Sequence, residues 1–229
     1  DYDGAMERLD EALDILGDTP VEMFVLLRVM QVAALRGNVE RALDASERAQ
    51  QIGEMAVFAT ARAGLRLGVI MLHNALGDEA HLRAAQDLIS EIHEMLDENP
   101  LLTHQYEIAV ACEATAMHLG LAALVSGDEE KQAHRAAALE ASQRGLETYE
   151  ALGFVQIIEC VSEEVLYRHS QALRANDRET EADDYLRQAH AEIERKHAFI
   201  PEDSPFRHSH LDNIALHREI REIYHQRLG

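Results

Sequence analysis

Apolar residues recur every three or four positions along almost the whole chain, and no stretch sustains an alternation of apolar and polar residues. This spacing is typical of amphipathic α-helices, whereas a half-buried strand has a period of two. We therefore predict an all-α fold. The expected helices number about ten and cover roughly residues 2–16, 19–36, 38–52, 54–76, 79–97, 100–125, 129–152, 154–175, 178–198 and 206–227.

The breaks between these helices contain residues that end one helix and begin the next. Thr19-Pro20-Val21-Glu22 has the order of a capping box with proline at the first helical position. Asn99-Pro100 and Ser204-Pro205 each place an N-cap residue before a proline. Ser126-Gly127-Asp128-Glu129 combines a glycine stop with an acidic helix start. These breaks predict long helices joined by short turns.

Two features repeat along the chain. Alanine pairs spaced by seven residues, which share one helix face and let a neighbouring helix approach closely, are Ala5/Ala12, Ala42/Ala49 and Ala182/Ala189. The residues expected at turns between paired helices are Gly37, Gly77, Gly127 and Asp177. Glycine reaches the left-handed conformation that ends many helices without strain, and aspartate reaches it at modest cost. We expect this conformation at all four turns.

A turn residue, an alanine five residues later and a second alanine seven residues beyond resemble the tetratricopeptide repeat. The resemblance implies a right-handed α-solenoid of antiparallel helical hairpins. In it, residues 1–229 would form a single repeat domain, and a C-terminal helix over 206–227 would cap the array. The turns at 37, 77, 127 and 177 lie 40, 50 and 50 residues apart. The later hairpins therefore need longer helices than a repeat of about 34 residues has.

The tail carries a second resemblance. The run from Ala182 to Ala189 leads to Ile200-Pro201-Glu202-Asp203, and then to Arg207, Ser209, Asn213 and His217-Arg218-Glu219-Ile220. This order is similar to the end of the helical-repeat region in large bacterial signalling ATPases. These include LuxR/MalT-type regulators and ATPases fused to nucleotide cyclase domains. The resemblance implies a sensor or interaction array whose ATPase and output domains lie elsewhere.

Charge and cysteine content restrict the environment and the partners. The net charge of −21 argues against binding to nucleic acid or to an anionic membrane, because both need basic patches. Cys112 and Cys160 form no CxxC pair, and we interpret them as small buried hydrophobes in a reducing compartment. No run approaches the ~18 apolar residues of a membrane span. These features predict a cytoplasmic location. The chain begins at Asp1 and enters helical periodicity at once, so we expect it to be a segment of a longer protein.

The sequence lacks the common catalytic motifs: a Walker A loop, a GxSxG elbow, a GxGxxG fingerprint and an HExxH pair. We therefore predict a non-catalytic module without a cofactor. A metalloenzyme using the ExxH pairs Glu194/His197 and Glu222/His225 is an alternative, but both pairs are expected to be exposed surface residues. Cys112 with His104 or His118 is a further candidate, which its apolar surroundings disfavour. His190, His197, His217 and His225 could instead form a pH-sensitive patch.

A helical solenoid exposes the first helix of each pair along its concave face. On that face we expect a mixture of apolar, amide and basic side chains, namely Phe24, Gln31, Met71, Asn74, Tyr167, Gln171 and Arg174. The mixture favours a peptide, a partner protein or a neighbouring domain as the ligand. A small-molecule effector near Tyr167, Gln171 and Arg174 is the alternative. Apolar residues on this face also make a homodimer a second possible assembly.

Overall fold

The computed structural model describes residues 2–17, 19, 21–54, 59–155 and 160–229. Within these ranges the protein is all-helical and contains no strand, which confirms the predicted fold class. The helices are α1 (Tyr2–Leu16), α2 (Glu22–Leu35), α3 (Val39–Glu54), α4 (Ala59–Leu76), α5 (Glu79–Glu98), α6 (Pro100–Leu124), α7 (Asp128–Ala151), α8 (Ser162–Ala175), α9 (Glu179–Ala198), α10 (Arg207–Asp212) and α11 (Ala215–Leu228).

The chain divides into two compact units, Asp1–Tyr106 and Glu107–Gly229, and the division falls within α6. In the first unit each helix packs against the next along the chain from α1 to α5, and α2 also packs against α4. In the second unit α8 packs against both α7 and α9, while α9 contacts α10 and α11. The sequence-based prediction that residues 1–229 form a single repeat domain stays a prediction.

Each unit has a core of aliphatic and alanine side chains. That of the first unit includes Met23, Leu26, Met30, Ala42, Ala49, Leu65, Val69 and Leu72. In the second unit the fully buried side chains include Met117, Leu121, Leu173, Ala182, Leu186, Ala189, Ile193 and Ile220. The second and third predicted alanine pairs are therefore core positions. The first pair is not, because α1 packs through Met6, Leu9 and Leu13, which leaves Ala5 exposed and Ala12 half-buried.

Three of the four predicted turn residues have positive φ. Gly37 has φ +73°, Gly77 has φ +72° and Asp177 has φ +60°. After α2, the amides of Gly37 and Asn38 donate to Ala34 O and Ala33 O, which is the hydrogen-bond pattern of a Schellman cap. The turn after α8 repeats this pattern at Asp177. The same local geometry therefore ends both helices that precede a buried alanine pair.

Gly127 corrects the fourth turn prediction. Its φ is −79° in an extended conformation, because it is the N-cap of α7 and its carbonyl accepts from Lys131 N. The left-handed glycine of this region is Gly153, with φ +71°, which the sequence analysis missed. The Schellman cap there runs from Gly153 N to Glu150 O and from Phe154 N to Tyr149 O, and it ends α7.

These two glycines in the second unit make a matched pair for a stability test. Gly153→Ala is expected to cost about 1–2 kcal/mol, because an L-residue is strained at this φ although nothing lies within 4 Å of the added Cβ. Gly127→Ala should change stability by less than about 0.5 kcal/mol, since its φ is ordinary and the new Cβ meets only Glu130 Cβ at 3.8 Å. Urea unfolding of both variants measures the difference. Equal losses would contradict the assignment.

Four helix boundaries differ from the prediction by more than two residues. The fourth helix was predicted to begin at residue 54, but Glu54 ends α3 and α4 begins at Ala59, while residues 55–58 lie outside the described residues. Helix α2 begins at Glu22 rather than at residue 19, because the Thr19 hydroxyl donates to Leu16 O instead of capping α2. Helix α8 begins at Ser162 rather than at residue 154, since Gly153 and Phe154 both have positive φ. The predicted helix over 206–227 is two helices, α10 and α11.

At the break between α10 and α11, side chains of α11 form hydrogen bonds to backbone carbonyls of α10. In a continuous helix those carbonyls would accept from backbone amides four residues later. His217 Nδ1 lies 2.7 Å from the carbonyl oxygen of His210, and Arg218 Nη1 donates to the carbonyl of Asp212 at 2.6 Å. Ile214 is extended, with φ −86° and ψ 113°. Two of the terminal carbonyls of α10, those of His210 and Asp212, thus have partners on α11 where the chain changes direction.

One described helix is long and apolar enough to cross a membrane by length and composition. It is the stretch Gln105–Leu124 within α6, which corrects the expectation that no run of the chain approaches a membrane span. About two thirds of that stretch, 67%, is buried inside the protein. Burial to this extent is typical of a core helix in a soluble protein, so the stretch is weak evidence for a membrane span.

Candidate functional site

The predicted concave-face residues of the first unit lie on two helices that pack together, and we call them the α2–α4 face: Phe24, Gln31, Met71 and Asn74. Gln31 Nε2 lies 4.0 Å from Met71 Sδ, so the structure brings these two residues together. Arg28 Nη1 donates to Gln31 Oε1 at 2.7 Å and adds a cation. Phe24 is 54% exposed, two helical turns before Gln31, and Asn74 is half-buried. This face combines an open aromatic ring with amide and basic groups.

In the second unit the predicted residues lie on α8, and we call them the α8 face: Tyr167, Gln171 and Arg174. The Tyr167 hydroxyl donates to Glu219 Oε1 of α11 at 2.7 Å, and Gln171 Nε2 donates to the same oxygen at 3.4 Å. Tyr167 is only 2% exposed. Burial and the Glu219 carboxylate raise the pKa of Tyr167, so the phenol stays a neutral donor. The chain's own α11 therefore contacts part of this face.

Arg174 belongs to a charged network that joins α8, α9 and α11. Its guanidinium contacts Glu179 at 3.3 Å and Asp183 at 2.8 Å, both on α9. Arg227 of α11 contacts the same two carboxylates, at 2.6 and 3.2 Å. Burial alone would raise the pKa of Asp183, but hydrogen bonds from Arg227 and Arg174 outweigh it and lower that pKa. Arg174 thus helps to hold α11 through shared acidic partners.

A buried ionic cluster lies at the start of α8, and the sequence analysis missed its central residue, Glu163. This carboxylate is 1% exposed, accepts from His217 Nε2 at 2.8 Å and forms an ion pair with Lys196 Nζ. Burial by itself would raise the pKa of Glu163, yet the hydrogen bonds from His217 and Lys196 lower it to about 2. We call these three residues the Glu163 cluster. It joins α8 to α9 and α11.

The sequence held a usable indication of this burial. Glu163 precedes Leu166 by three residues and Tyr167 by four, so on a helix all three share one face. Because a charged residue on an apolar face needs a partner, a basic or histidine side chain elsewhere in the chain was to be expected. Nothing in the pattern identified His217 or Lys196 as that partner.

Two histidines of the predicted patch, His197 and His217, each lie close to the ring of His210, which was not part of the predicted patch. The rings of His197 and His210 are 5.7 Å apart between centroids, and those of His210 and His217 are 4.6 Å apart. The ring of His190 instead stacks on Tyr224 at 3.9 Å and meets the edge of His225 at 5.9 Å. The predicted histidine patch is therefore two separate groups.

The ExxH pairs gain no geometric support as metal ligands. Among the described residues, no three histidine, cysteine, aspartate or glutamate side chains are placed to hold a metal ion together. Glu194 contacts His190 at 3.9 Å, and the Nδ1 atom of His197 is buried without a hydrogen bond. The side chain of His104, named with Cys112 as a candidate pair, lies outside the described residues.

The first unit also contains a cavity of about 350 Å³ between α3, α4 and α5. Its lining mixes three aliphatic side chains with polar and charged ones: Gln50, Gly53, Arg62, Leu65, Arg66, Val69, Leu88 and Glu91. Arg66 Nε donates to Glu91 Oε2 at 3.0 Å, so one of the two arginines is already paired. The alternative function, binding of a small-molecule effector, was predicted near Tyr167, Gln171 and Arg174. None of these three residues lines this cavity.

Comparison with known proteins assigns no family to this chain: no protein-family model matches it, and a search of curated proteins finds no similar sequence. The resemblances to tetratricopeptide repeats and to bacterial signalling ATPases stay predictions.

Proposed function

We propose that this chain is a non-catalytic helical-repeat module that binds an amphipathic helix of a partner protein or of a neighbouring domain. The proposal includes the finer architecture expected from the sequence, a tetratricopeptide-like right-handed solenoid of antiparallel hairpins within a bacterial regulatory protein. It is supported by the Schellman caps before both buried alanine pairs and by contacts between helices adjacent and next-but-one in sequence. The observation that carries the binding proposal is the contact of α11 with the α8 face: α11 packs on α9 and reaches Tyr167 and Gln171 through the Glu219 carboxylate.

Helix α11 is an internal example of such a ligand. It buries Ile220 completely, presents Glu219 to Tyr167 and Gln171, and is anchored near its end by Arg227. A helix bound in a groove usually buries an apolar face of several residues, and polar contacts at its edges fix its position. Ile220 with the flanking polar contacts is a small example of this arrangement. Tyr167 and Gln171 of the α8 face thus contact a helix of the same chain directly through their side chains.

The α2–α4 face offers similar chemistry with more of its surface open. Gln31 supplies an amide as Gln171 does, Arg28 lies beside it, and Phe24 supplies an exposed aromatic ring. We propose that a helix with an apolar residue for Phe24 and an acidic residue for Arg28 binds here. The partner is expected to come from outside the described part of the first unit.

A displayed library of amphipathic helical peptides, selected against the whole chain, tests this proposal. Enriched peptides should carry an acidic residue one turn from an apolar one, and Phe24→Ala or Gln31→Ala should weaken their binding about tenfold or more. The matched control is Ile15→Ala, which removes an apolar side chain that is 79% exposed on α1. Enrichment of no peptide, or equal weakening by the control, would contradict the proposal.

A further inference from the structure

The two cysteines of the chain lie together although they are far apart in sequence. Cys112 Sγ and Cys160 Sγ are 3.6 Å apart across a sequence separation of 48 residues. Both are free thiols, both are buried at 4% exposure, and the chain has only these two cysteines. From the sequence both were expected to be small buried hydrophobes that form no CxxC pair; both are buried, and the structure adds that their sulfurs are in contact. Two thiols in contact can be oxidised to a disulfide, which neither thiol can form alone.

The two residues differ in how firmly they are held. Cys112 lies in the middle of α6, whereas Cys160 lies outside the helices, two residues before α8 begins at Ser162. A disulfide bond is about 2.05 Å long, so closure needs the sulfurs to approach by about 1.5 Å. Rotation of the two side chains and a small shift of the Cys160 backbone, which lies outside the helices, can supply this movement without breaking α6.

We propose that Cys112 and Cys160 form a redox-active pair that closes to an intramolecular disulfide when the protein meets a peroxide. In the first step one sulfur attacks a peroxide oxygen, the O–O bond breaks, and hydroxide leaves and takes up a proton as water. In the second step the other sulfur attacks the sulfenic sulfur, the S–O bond breaks, and a second water leaves. The two thiols lose two electrons in total, and the peroxide is reduced to two waters.

The surroundings of the pair make this reaction slow and selective for a small oxidant. The contact with Cys112, followed by burial, raises the pKa of the Cys160 thiol, and Glu164 and Glu113 act in the same direction. The reactive thiolate of Cys160 is therefore scarce at neutral pH. Arg168 pairs with Glu164 at 3.3 Å and offsets part of this negative charge. A peroxide molecule is small enough to reach buried sulfur, whereas a larger disulfide reagent is not.

The disulfide would tie the start of α8 to α6 within the second unit. It would close a loop of about 50 residues, which raises stability mainly by restricting the unfolded chain. Cys160 is three residues from Glu163, so the new bond would also fix the segment that positions the Glu163 cluster. Oxidation would thus stabilise the part of the second unit on which α11 docks.

Mass spectrometry of the full chain after hydrogen peroxide treatment tests the proposal. The mass is expected to fall by about 2 Da through loss of two hydrogens, and the alkylatable thiols of the denatured protein should fall from two to none. A peptide linking the Cys112 and Cys160 segments should appear, and dithiothreitol should reverse all three changes. The melting temperature should rise by about 5 °C or more in the oxidised form.

Cys112→Ala and Cys160→Ala are the matched controls, since each keeps one thiol that has no internal partner. Neither should lose 2 Da or gain melting temperature on oxidation. A mass gain of about 32 Da per cysteine, indicating sulfinic acid, would overturn the proposal if no linked peptide is found. A linkage found only between two chains would overturn it equally. The linked-peptide measurement uses the unaltered protein, so the result does not depend on whether the variants fold.

Discussion

Replacing Glu163 by glutamine is expected to lower the free energy of unfolding by about 3–5 kcal/mol, because it removes the carboxylate that Lys196 and His217 share in a buried site. Lys196 forms an ion pair with this carboxylate. The two ring nitrogens of His217 face Glu163 and the carbonyl of His210. The glutamine side chain has nearly the same shape as glutamate, so the variant keeps the packing around residue 163 and loses the negative charge.

Urea unfolding at neutral pH, followed by helical circular dichroism, measures the loss. The matched control is Glu164→Gln, one residue further along α8. Glu164 is 20% exposed at its side chain and pairs with Arg168, so its loss should cost about 1 kcal/mol or less. Similar losses in the two variants would show that burial of Glu163 has no special effect.

Acid should weaken the same cluster in a defined range. The pKa of Glu163 is about 2 in the folded protein, whereas an unperturbed glutamate side chain has a pKa of 4.5. A carboxyl group with a lowered folded pKa contributes stability that is complete above the unfolded pKa and is lost as pH falls toward the folded one. The Glu163 contribution should therefore decline between about pH 4.5 and 2. In this range the free energy of unfolding should depend less on pH in Glu163→Gln than in the unaltered protein.

The periodicity of the sequence predicted most of the helices because helix formation depends on neighbours three and four residues away. It also predicted the turns at Gly37 and Asp177, where the chemistry is local to one helix end. The break between α10 and α11 could not be predicted in this way. It depends on His217 and Arg218 donating to carbonyls of α10, and those contacts exist only after α11 has docked.

For the candidate binding residues too, local features could be predicted from the sequence and long-range contacts could not. The spacing of Tyr167, Gln171 and Arg174 correctly placed them on one helix, and helix spacing is local information. That Glu219 would meet Tyr167 and Gln171 depends on the packing of helices separated by about 50 residues, which spacing does not encode. Phe24 is a different case, since its exposure leaves it available to a partner.

Docking of α11 changes how the two faces can be compared. The α8 face is partly occupied by a helix of the same chain, so any external ligand there must compete with Glu219 and Arg227. The α2–α4 face does not share this helix among the described contacts. We therefore expect the first unit to bind an external helix more readily. A disulfide between Cys112 and Cys160 would act only in the second unit, close to Glu163, which contacts α11 through His217.

A mildly acidic solution should destabilise the second unit before Glu163 titrates, and His169 is expected to be a principal cause. This residue is 3% exposed, with Nδ1 at 2.9 Å from Ser142 Oγ and its ring against the edge of Tyr185 at 4.6 Å. Burial first, and Arg178 second, lower the pKa of His169 from 6.5 to about 4. The folded protein therefore keeps this ring neutral under conditions that protonate it in the unfolded chain.

The expected loss from His169 is about 2–3 kcal/mol, and it should develop between pH 6.5 and about 4. The sign follows because a base with a lowered folded pKa gives the unfolded state more bound protons in that range, so stability falls as pH falls. Denaturant unfolding at pH 7, 6, 5 and 4 measures the slope. His169→Gln should flatten it while keeping a polar group near Ser142, whereas the exposed His208→Gln should leave it unchanged. An unaltered slope in His169→Gln would refute the assignment and would direct attention to His118, whose pKa burial and His134 also lower to about 4.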